Sequence, residues 1–265
     1  MRYPLALAVG LLLLSPGAFA HEPAADGQIW ALLPPLLILL VALCWWRGAW
    51  ATPPPLYRMI GVQLALAGGL LTLIGPLDQW AHTGTGPHMV QHMLMIGLIA
   101  PAWVLLRPQA QLVRGAGRLG QSLIGGVGYL ARHPLWMAYL HGGVIWLWHL
   151  PVVYDLALDH AAWHAAEHLS FLLTAVLFWW AVLSTSARRT PFALLALLLT
   201  LMHTGFLGAI MTFAREPFYA DARDLQDQQL AGLIMWVLGG IPYLLAAGWV
   251  TRRWLLHLSR RMANA

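Results

Sequence analysis

The sequence predicts an all-α fold, a polytopic membrane bundle of seven transmembrane helices, and two observations support this class. Hydrophobic residues make up 60% of the 265 positions, whereas charged residues make up only 9%. Soluble domains carry about 25% charged residues, so this composition is typical of a chain that lies mostly in a bilayer. Apolar runs of spanning length also recur along the chain between joints rich in proline and glycine. We therefore expect a single membrane domain over residues 21–265.

The first element, residues 1–20, is predicted to be a signal peptide. Arg2 supplies a positive charge, residues 5–14 form a short apolar core, and Ala18-Phe19-Ala20 is typical of a cleavage site. The core is too short to cross a bilayer comfortably, which argues against an uncleaved anchor. Cleavage would leave His21 at the amino terminus. There its amine and ring could chelate a metal ion together, although a solvated tail histidine is the simpler alternative.

Seven apolar runs follow, each long enough to be a membrane span. We place them at about 28–46, 57–75, 88–106, 134–150, 162–185, 191–213 and 229–251. The fourth is the shortest. Proline and glycine mark the joints, as in Thr52-Pro53-Pro54-Pro55 and Gly84-Thr85-Gly86-Pro87, because both residues interrupt helices.

The charged residues predict how the bundle is oriented. With seven spans, twelve arginines fall on one side of the membrane, which is the cytoplasmic side by the positive-inside rule. They are Arg47, Arg58, Arg107, Arg114, Arg118, Arg132, Arg188, Arg189, Arg252, Arg253, Arg260 and Arg261. The acidic residues fall on the opposite side, together with Arg215, Arg223 and Arg2 of the signal peptide. We therefore expect the N-terminus outside and the C-terminus in the cytoplasm.

Histidines gather at the outer ends of the predicted spans. The spacings His88-x3-His92 and His160-x3-His164-x3-His168 place imidazoles one turn apart on one face of a helix. An imidazole at membrane depth is costly, so it needs a partner or a task. His160 could simply cap a helix at the headgroup boundary, but His92 and His168 lie a turn or more inside. The pattern therefore favours a metal site over purely structural hydrogen bonding.

Other side chains at this depth could complete such a site. His149 ends the fourth span on the same side, and imidazole together with thioether favours Cu(I). Carboxylates could orient the rings by accepting hydrogen bonds. The further candidates for ligands or orienting groups are His160, His203, Met95, Met235, Asp155 and Glu167. Core packing is the alternative role for each methionine, and structural hydrogen bonding is the alternative for His203.

Four stretches of the sequence resemble the CtaG-type cytochrome c oxidase assembly factors, the polytopic caa3-type family. The stretches are His88-Met-Val-Gln91-His92-Met-Leu followed by Pro101, His149-Leu-Pro151-Val-Val-Tyr154-Asp155, His164-Ala-Ala-Glu-His168 leading to Phe178-Trp179-Trp180, and Asp227-Gln228-Gln229-Leu-Ala-Gly232-Leu-Ile-Met235. They extend from the third predicted span to the seventh, which is most of the chain.

This resemblance implies a seven-helix protein of the bacterial inner membrane that helps a haem–copper terminal oxidase to mature, with copper delivery as the usual interpretation. The residues it implies as metal ligands are His88, His92, His149, His164 and His168. It also implies a polar group of Asp227, Gln228 and Gln229 at the outer mouth of the seventh span, with either a structural or a metal-guiding role. The implied partners are a cytochrome c oxidase subunit and a periplasmic copper donor.

Other functions remain as alternatives. Two histidines from different helices can ligate haem, so a bis-histidine membrane cytochrome is the first, and a metal-free assembly scaffold is the second. A transporter fits less well, because the inner halves of the spans are almost purely apolar apart from His141. Enzymatic activity is not expected, since the sequence contains no HExxH, nucleophile elbow or phosphate loop. The arginines are scattered in short loops, which fits membrane topology rather than nucleic-acid binding.

Overall fold

The structure, a computed structural model, describes residues 25–74, 76–219 and 224–264. Throughout these three ranges the chain forms helices and turns and contains no strand, as the predicted fold class requires. The predicted signal peptide and His21 lie outside the described residues.

Twelve α-helices follow one another in the described ranges. They are α1 Ala25–Ala51, α2 Leu56–Leu73, α3 Pro76–Ala81, α4 Thr85–Leu94, α5 Ala100–Leu106, α6 Gln109–Leu130, α7 Pro134–Trp148, α8 Pro151–Asp159, α9 Ala161–Leu183, α10 Thr190–Thr212, α11 Leu225–Leu233 and α12 Gly240–Ala263. A π-helical turn, Met95–Ile99, joins α4 to α5, and a second one, Ile234–Leu238, joins α11 to α12. A 3-10 turn, Ala187–Arg189, precedes α10.

Six helical segments of the described chain are long and apolar enough to cross a membrane, which makes this a multi-pass membrane protein. They are Leu32–Ala51, Leu56–Leu73, Thr85–Leu106, Ala161–Leu183, Ala187–Thr212 and Leu225–Ala263, and each overlaps one predicted span. The predicted span at 134–150 corresponds to α7, which has 15 residues and packs against α9 and α10. A helix of that length rises only about 22 Å, less than the roughly 30 Å of a bilayer core. The count of seven spans therefore stays a prediction.

The segment after Arg107, expected from the sequence only as a connecting loop, contains the helix α6. This helix packs closely against α1 because glycines meet at the crossing. A Cβ atom on Gly115 would lie 1.7 Å from the carbonyl oxygen of Cys44, and one on Gly48 would lie 1.8 Å from that of Gln111. Only glycine permits such an approach of two helix backbones.

Arg189 and Arg253 bind backbone carbonyl groups at one end of the bundle, and the histidines of α4, α7 and α9 that are described below lie at the other. The guanidinium of Arg253 donates to the carbonyl oxygens of Leu183 at 2.8 Å and Thr185 at 2.7 Å, where α9 ends. Arg189 donates to the carbonyl oxygen of Arg132 at 2.6 Å, just before α7 begins. The opposite end, where α4 begins, α7 ends and α9 begins, is called the histidine end below.

The two π-helical turns lie close together, each partway along the membrane helix that it interrupts. Each shortly precedes a proline, Pro101 or Pro242, and proline disrupts regular helical hydrogen bonding because it lacks an N–H and its ring crowds the preceding turn. A Cβ atom on Gly97 would lie 3.0 Å from Cγ of Pro242, so the two interrupted helices touch at this level. Trp179 of α9 donates from Nε1 to the carbonyl oxygen of Ile96 at 2.7 Å, which fixes the first π-helical turn against α9.

Candidate metal centre

Four buried side chains with metal-ligating atoms meet at the histidine end. His88 and His92 come from α4, and Glu167 and His168 come from α9. Each offers one nitrogen or oxygen atom, and all four atoms lie within 4.8 Å of one another. We call these four residues the histidine cluster.

Local structure explains why the cluster forms. The i, i+4 spacing of His88 and His92 puts both rings on one face of α4. The start of that helix is held from outside, because the carboxylate of Asp227 on α11 accepts from the amides of Thr85 at 2.6 Å and Gly86 at 3.1 Å. These amides have no partner within their own helix, so a carboxylate there also interacts favourably with the helix dipole.

Within the cluster, hydrogen bonding is incomplete. Nε2 of His88 and Nε2 of His92 lie 2.8 Å apart, so one ring donates to the other. The carboxylate of Glu167 lies 3.9 Å from Nε2 of His88 and 3.7 Å from Nε2 of His92, which is too far for a hydrogen bond. Buried atoms left without a hydrogen-bond partner include Nδ1 of His92, Nε2 of His168 and Oε2 of Glu167. Each such atom costs about 1–3 kcal/mol, so the donor set suits a ligand that would satisfy it.

The spacing of the donors is close to what a metal ion needs. Two imidazole nitrogens bound to one tetrahedral ion, each about 2.0 Å away, lie roughly 3.3 Å apart. The His88–His92 pair, at 2.8 Å, would have to open by about half an ångström to reach this separation.

Two further histidines lead from the surface to the cluster. The ring of His164 lies 4.3 Å from that of His168 and 5.7 Å from that of His88, between centroids. On its other side, it lies 5.6 Å from the ring of His82, whose side chain is 24% exposed. His164 therefore stands beside the cluster, between it and the surface.

The structure does not bring the other predicted ligands into the cluster of four. Nδ1 of His149 hydrogen-bonds to the carbonyl oxygen of Ile145 at 2.7 Å, and His149 lines a small pocket beside the cluster together with His92 and Met235. Met95 is buried in the first π-helical turn and does not line that pocket.

His203 and His160 lie apart from the cluster. His203 is half-buried on α10 against α7, where a Cβ atom on Gly142 would come within 2.6 Å of its Nε2. His160 is exposed at the start of α9. The structure therefore gives neither histidine a place among the four clustered ligands.

The predicted polar group on α11 forms structural hydrogen bonds. Asp227 holds the start of α4, as described above. Oε1 of Gln228 accepts from the amide of Phe218 at 2.5 Å, and Nε2 of Gln229 donates to the carbonyl oxygen of Ala214 at 3.0 Å. These bonds attach the segment after α10 to α11 and so close the histidine end.

Two stacked tyrosines lie next to the cluster. The rings of Tyr154 and Tyr219 are 4.0 Å apart, and Tyr154 lies 5.8 Å from the ring of His88. Burial raises the pKa of both tyrosine hydroxyls, so each stays protonated at neutral pH. The hydroxyl of Tyr219 donates to the carbonyl oxygen of His149 at 3.2 Å. Asp155, another predicted orienting group, is half-buried on α8 and interacts electrostatically with Tyr219.

From the sequence, Glu167 is a candidate for orienting the imidazole rings by accepting hydrogen bonds from them. In the structure its carboxylate lies among the rings, where it could itself bind a metal ion. A signal for this position exists in the order His164-x-x-Glu167-His168, which is the order of the ligands and acid in one class of helical zinc sites. The involvement of Tyr219 had no comparable signal, because its position depends on how the segment after α10 folds back.

Comparison with known proteins assigns the family. The family model of the cytochrome c oxidase caa3 assembly factors (Caa3_CtaG) matches residues 36–256, a region that includes every cluster residue and both π-helical turns. Comparisons with curated proteins and with solved structures gave no match. The match confirms the resemblance seen in the four sequence stretches. The chain belongs to the cytochrome c oxidase caa3 assembly factor family.

Proposed function

We propose that this protein binds Cu(I) at the histidine cluster and supplies it to a cytochrome c oxidase during assembly, in the inner membrane of a bacterium. The observation that carries the proposal is the convergence of three imidazoles and one carboxylate within 4.8 Å at a buried position. Membership of an oxidase assembly family supplies the reason for copper. Neutral imidazole is a good ligand for copper. The buried ring nitrogens that have no hydrogen-bond partner are free to coordinate the ion.

Charge balance favours a monovalent ion. Among the described residues, Glu167 is the one acidic side chain that is buried. A buried charge must be paired, and one carboxylate neutralises one Cu(I) ion, whereas a divalent ion would leave an unpaired positive charge. This argument supports Cu(I) over zinc at the same set of ligands.

The arrangement also suits release of the ion. A closed site of four thiolates holds its metal permanently, whereas imidazole ligands next to a partly open approach allow one ligand to replace another. His164 and His82 provide rings at distances of 4.3–5.7 Å between the cluster and the surface. We expect copper to arrive from a periplasmic donor at this end and to leave towards an oxidase subunit.

The geometry favours an ion over haem, the alternative cofactor. Haem bound by two histidines lies between the two rings, which must stand on opposite sides of a flat macrocycle. Here the nearest ring nitrogens are 2.8 Å apart and belong to one helix. The remaining donors crowd the same space, so a macrocycle would not fit without separating α4 from α9.

Copper binding to the purified, full-length protein tests the proposal. In detergent and under reducing conditions, we expect about one Cu(I) per chain in competition with a chromogenic Cu(I) chelator, and loss of that binding when His92 and His168 are both changed to alanine. The control is the double change His133→Ala and His257→Ala, which removes two exposed histidines outside the cluster and should leave binding intact. Circular dichroism confirms that each variant is folded.

Three results would contradict the proposal. Copper binding that survives joint replacement of His88, His92, His164 and His168 by alanine would place the metal elsewhere. Zinc at full occupancy in protein purified from copper-supplied cells would overturn the choice of ion. In cells lacking the gene, normal copper content per oxidase molecule combined with a reduced amount of oxidase would indicate a metal-free scaffold.

A further inference from the structure

A second set of metal-ligating atoms lies one helical turn further into the bundle. A small pocket there is lined by His92 and Met93 of α4, by His149 after α7, and by Met235 of the second π-helical turn. Phe171 of α9, one turn further along its helix than the cluster residue His168, forms part of the wall. We call this space the inner pocket. It adjoins the histidine cluster because His92 belongs to both.

The donor atoms of the inner pocket differ in kind from those of the cluster. Among the lining side chains typical of copper sites, two are imidazoles and two are thioethers. The buried carboxylate of Glu167, 3.7 Å from Nε2 of His92 in the adjoining cluster, balances the charge of a monovalent ion here too. His149 is held in one orientation, because an imidazole N–H at Nδ1 donates to the carbonyl oxygen of Ile145 at 2.7 Å. That tautomer leaves the lone pair on Nε2, the state that binds a metal. Thioether and imidazole together select Cu(I) over harder or divalent ions.

His92 is placed to serve both sites. Its Nε2 faces His88 and Glu167 in the cluster, at 2.8 Å and 3.7 Å. Its Nδ1 is buried and has no hydrogen-bond partner. A neutral imidazole binds a metal through one nitrogen and carries its proton on the other, so His92 belongs to one donor set or to the other according to its tautomer.

The backbone around the inner pocket is specialised. Ile96 of the first π-helical turn and Met235 of the second both line it, and π-helical turns inside α-helices occur frequently at functional sites. Gly239 directly follows the second turn. A Cβ atom at this position would lie 2.8 Å from Sδ of Met93, so glycine leaves the space that the thioether occupies.

We propose that the inner pocket is a second Cu(I) site, which receives the ion from the histidine cluster by ligand exchange. This inference rests on the proposed function of the cluster and extends it. His149, Met93 and Met235 bind the ion as His88, His168 and Glu167 release it. When the ion passes from Nε2 to Nδ1 of His92, the ring proton passes from Nδ1 to Nε2, so the ring stays neutral. Copper remains Cu(I) throughout, so the step needs no oxidant or reductant.

X-ray absorption at the copper edge tests this inference on full-length protein labelled with selenomethionine and loaded with one Cu(I) per chain. We expect a selenium neighbour of copper in the wild-type protein, because selenium replaces the sulfur of Met93 and Met235. The double change Met93→Leu and Met235→Leu should abolish the selenium signal while copper stays bound by nitrogen and oxygen ligands of the cluster. The matched control is Met89→Leu with Met137→Leu, two buried methionines that do not line the pocket, and it should retain the signal.

The outcomes separate the two proposals. If the wild-type protein binds no Cu(I), the proposed function of the cluster fails and the inner site fails with it. If the wild-type protein binds Cu(I) but shows no selenium neighbour, the cluster function stands and the inner site is refuted. A selenium signal that persists in the Met93/Met235 variant also refutes it. A signal that survives His88→Ala with His168→Ala supports an inner site that can hold copper without those ligands.

Discussion

Glu167 has a position that no other acid in the described chain shares, since it is buried among the imidazoles of two helices. Its side chain is 1% exposed, and Oε2 has no hydrogen-bond partner. A carboxylate in such surroundings is costly unless a cation or a proton accompanies it. The negative charge of Glu167 therefore makes the affinity of the cluster for an ion depend on the charge of that ion.

Glu167→Gln keeps the shape of the side chain and removes its charge. If the carboxylate balances or directly binds Cu(I), affinity should fall by about 10- to 100-fold, the range typical of lost metal-orienting groups. Chelator competition on the folded, purified variant measures the change. Glu216→Gln removes an exposed acid and serves as the control. An affinity equal to that of the wild type in both variants would show that Glu167 plays no part in binding.

At the scale of helices, the site depends on how α4 is held against its neighbours. Asp227 ties the first turn of α4 to α11, while Nε2 of Gln91 donates to the backbone carbonyl of Thr72 and, at 3.3 Å, to the carboxylate of Asp78. These hydrogen bonds join α4, which carries His88 and His92, to α11 through Asp227 and to α2 and α3 through Gln91. The position of this pair is therefore fixed by bonds outside the cluster itself.

Asp227→Asn should weaken the attachment of α4 because the amide keeps one acceptor oxygen but loses the charge and the second acceptor. We expect a loss of about 1 kcal/mol in the free energy of unfolding, as for other helix N-caps, together with weaker Cu(I) binding. Thermal unfolding in detergent and chelator competition measure the two effects. Asp159→Asn, at an exposed acid at the end of α8, is the control. Unchanged stability and affinity would mean that α4 is held by packing alone.

The crossing of α1 and α6 gives a second prediction at this scale. Gly115→Ala would bring a methyl group to 1.7 Å from the carbonyl oxygen of Cys44, so the helices must separate. We expect a loss of roughly 2 kcal/mol, or about 5 °C in Tm. Gly125 lies further along α6, beyond a kink at Gly117, and has nothing within 4 Å of an added Cβ atom. Gly125→Ala should leave Tm unchanged or slightly raised. Equal Tm values for the two variants would refute this account of the crossing.

For the whole molecule, the segregation of arginines from histidines predicts which end faces which compartment. In a variant whose single cysteine, Cys44, is changed to serine, Asp159→Cys marks the histidine end and Ser259→Cys marks the arginine end. The positive-inside rule places the arginines in the cytoplasm. A membrane-impermeant thiol reagent should therefore label Asp159→Cys in intact spheroplasts and label Ser259→Cys only after permeabilisation. The reverse pattern would invert the proposed direction of copper uptake.

The sequence predicted much of this architecture because the relevant signals are local. Hydropathy identified the long apolar helices, and the i, i+4 spacing identified the faces that carry His88, His92 and His168. The helix α6 was missed as a helix because glycines and arginines interrupt its apolar pattern, and α7 falls short of a full span. The two π-helical turns were also missed, since proline alone does not reveal how the helix before it adjusts.

By itself, the sequence determined that this is a helical membrane protein with imidazoles concentrated at one end, because composition, periodicity and charge act within single segments. The tertiary structure decided which of those imidazoles meet. It grouped His88, His92 and His168 around Glu167 and placed His149 beside Met93 and Met235 in a separate pocket. The physical reason is that two side chains on different helices meet only if each helix is rotated about its axis by the right amount and the two helices approach closely enough. Contacts between residues far apart in the sequence, such as Asp227 with Thr85 and Gly97 with Pro242, fix those quantities.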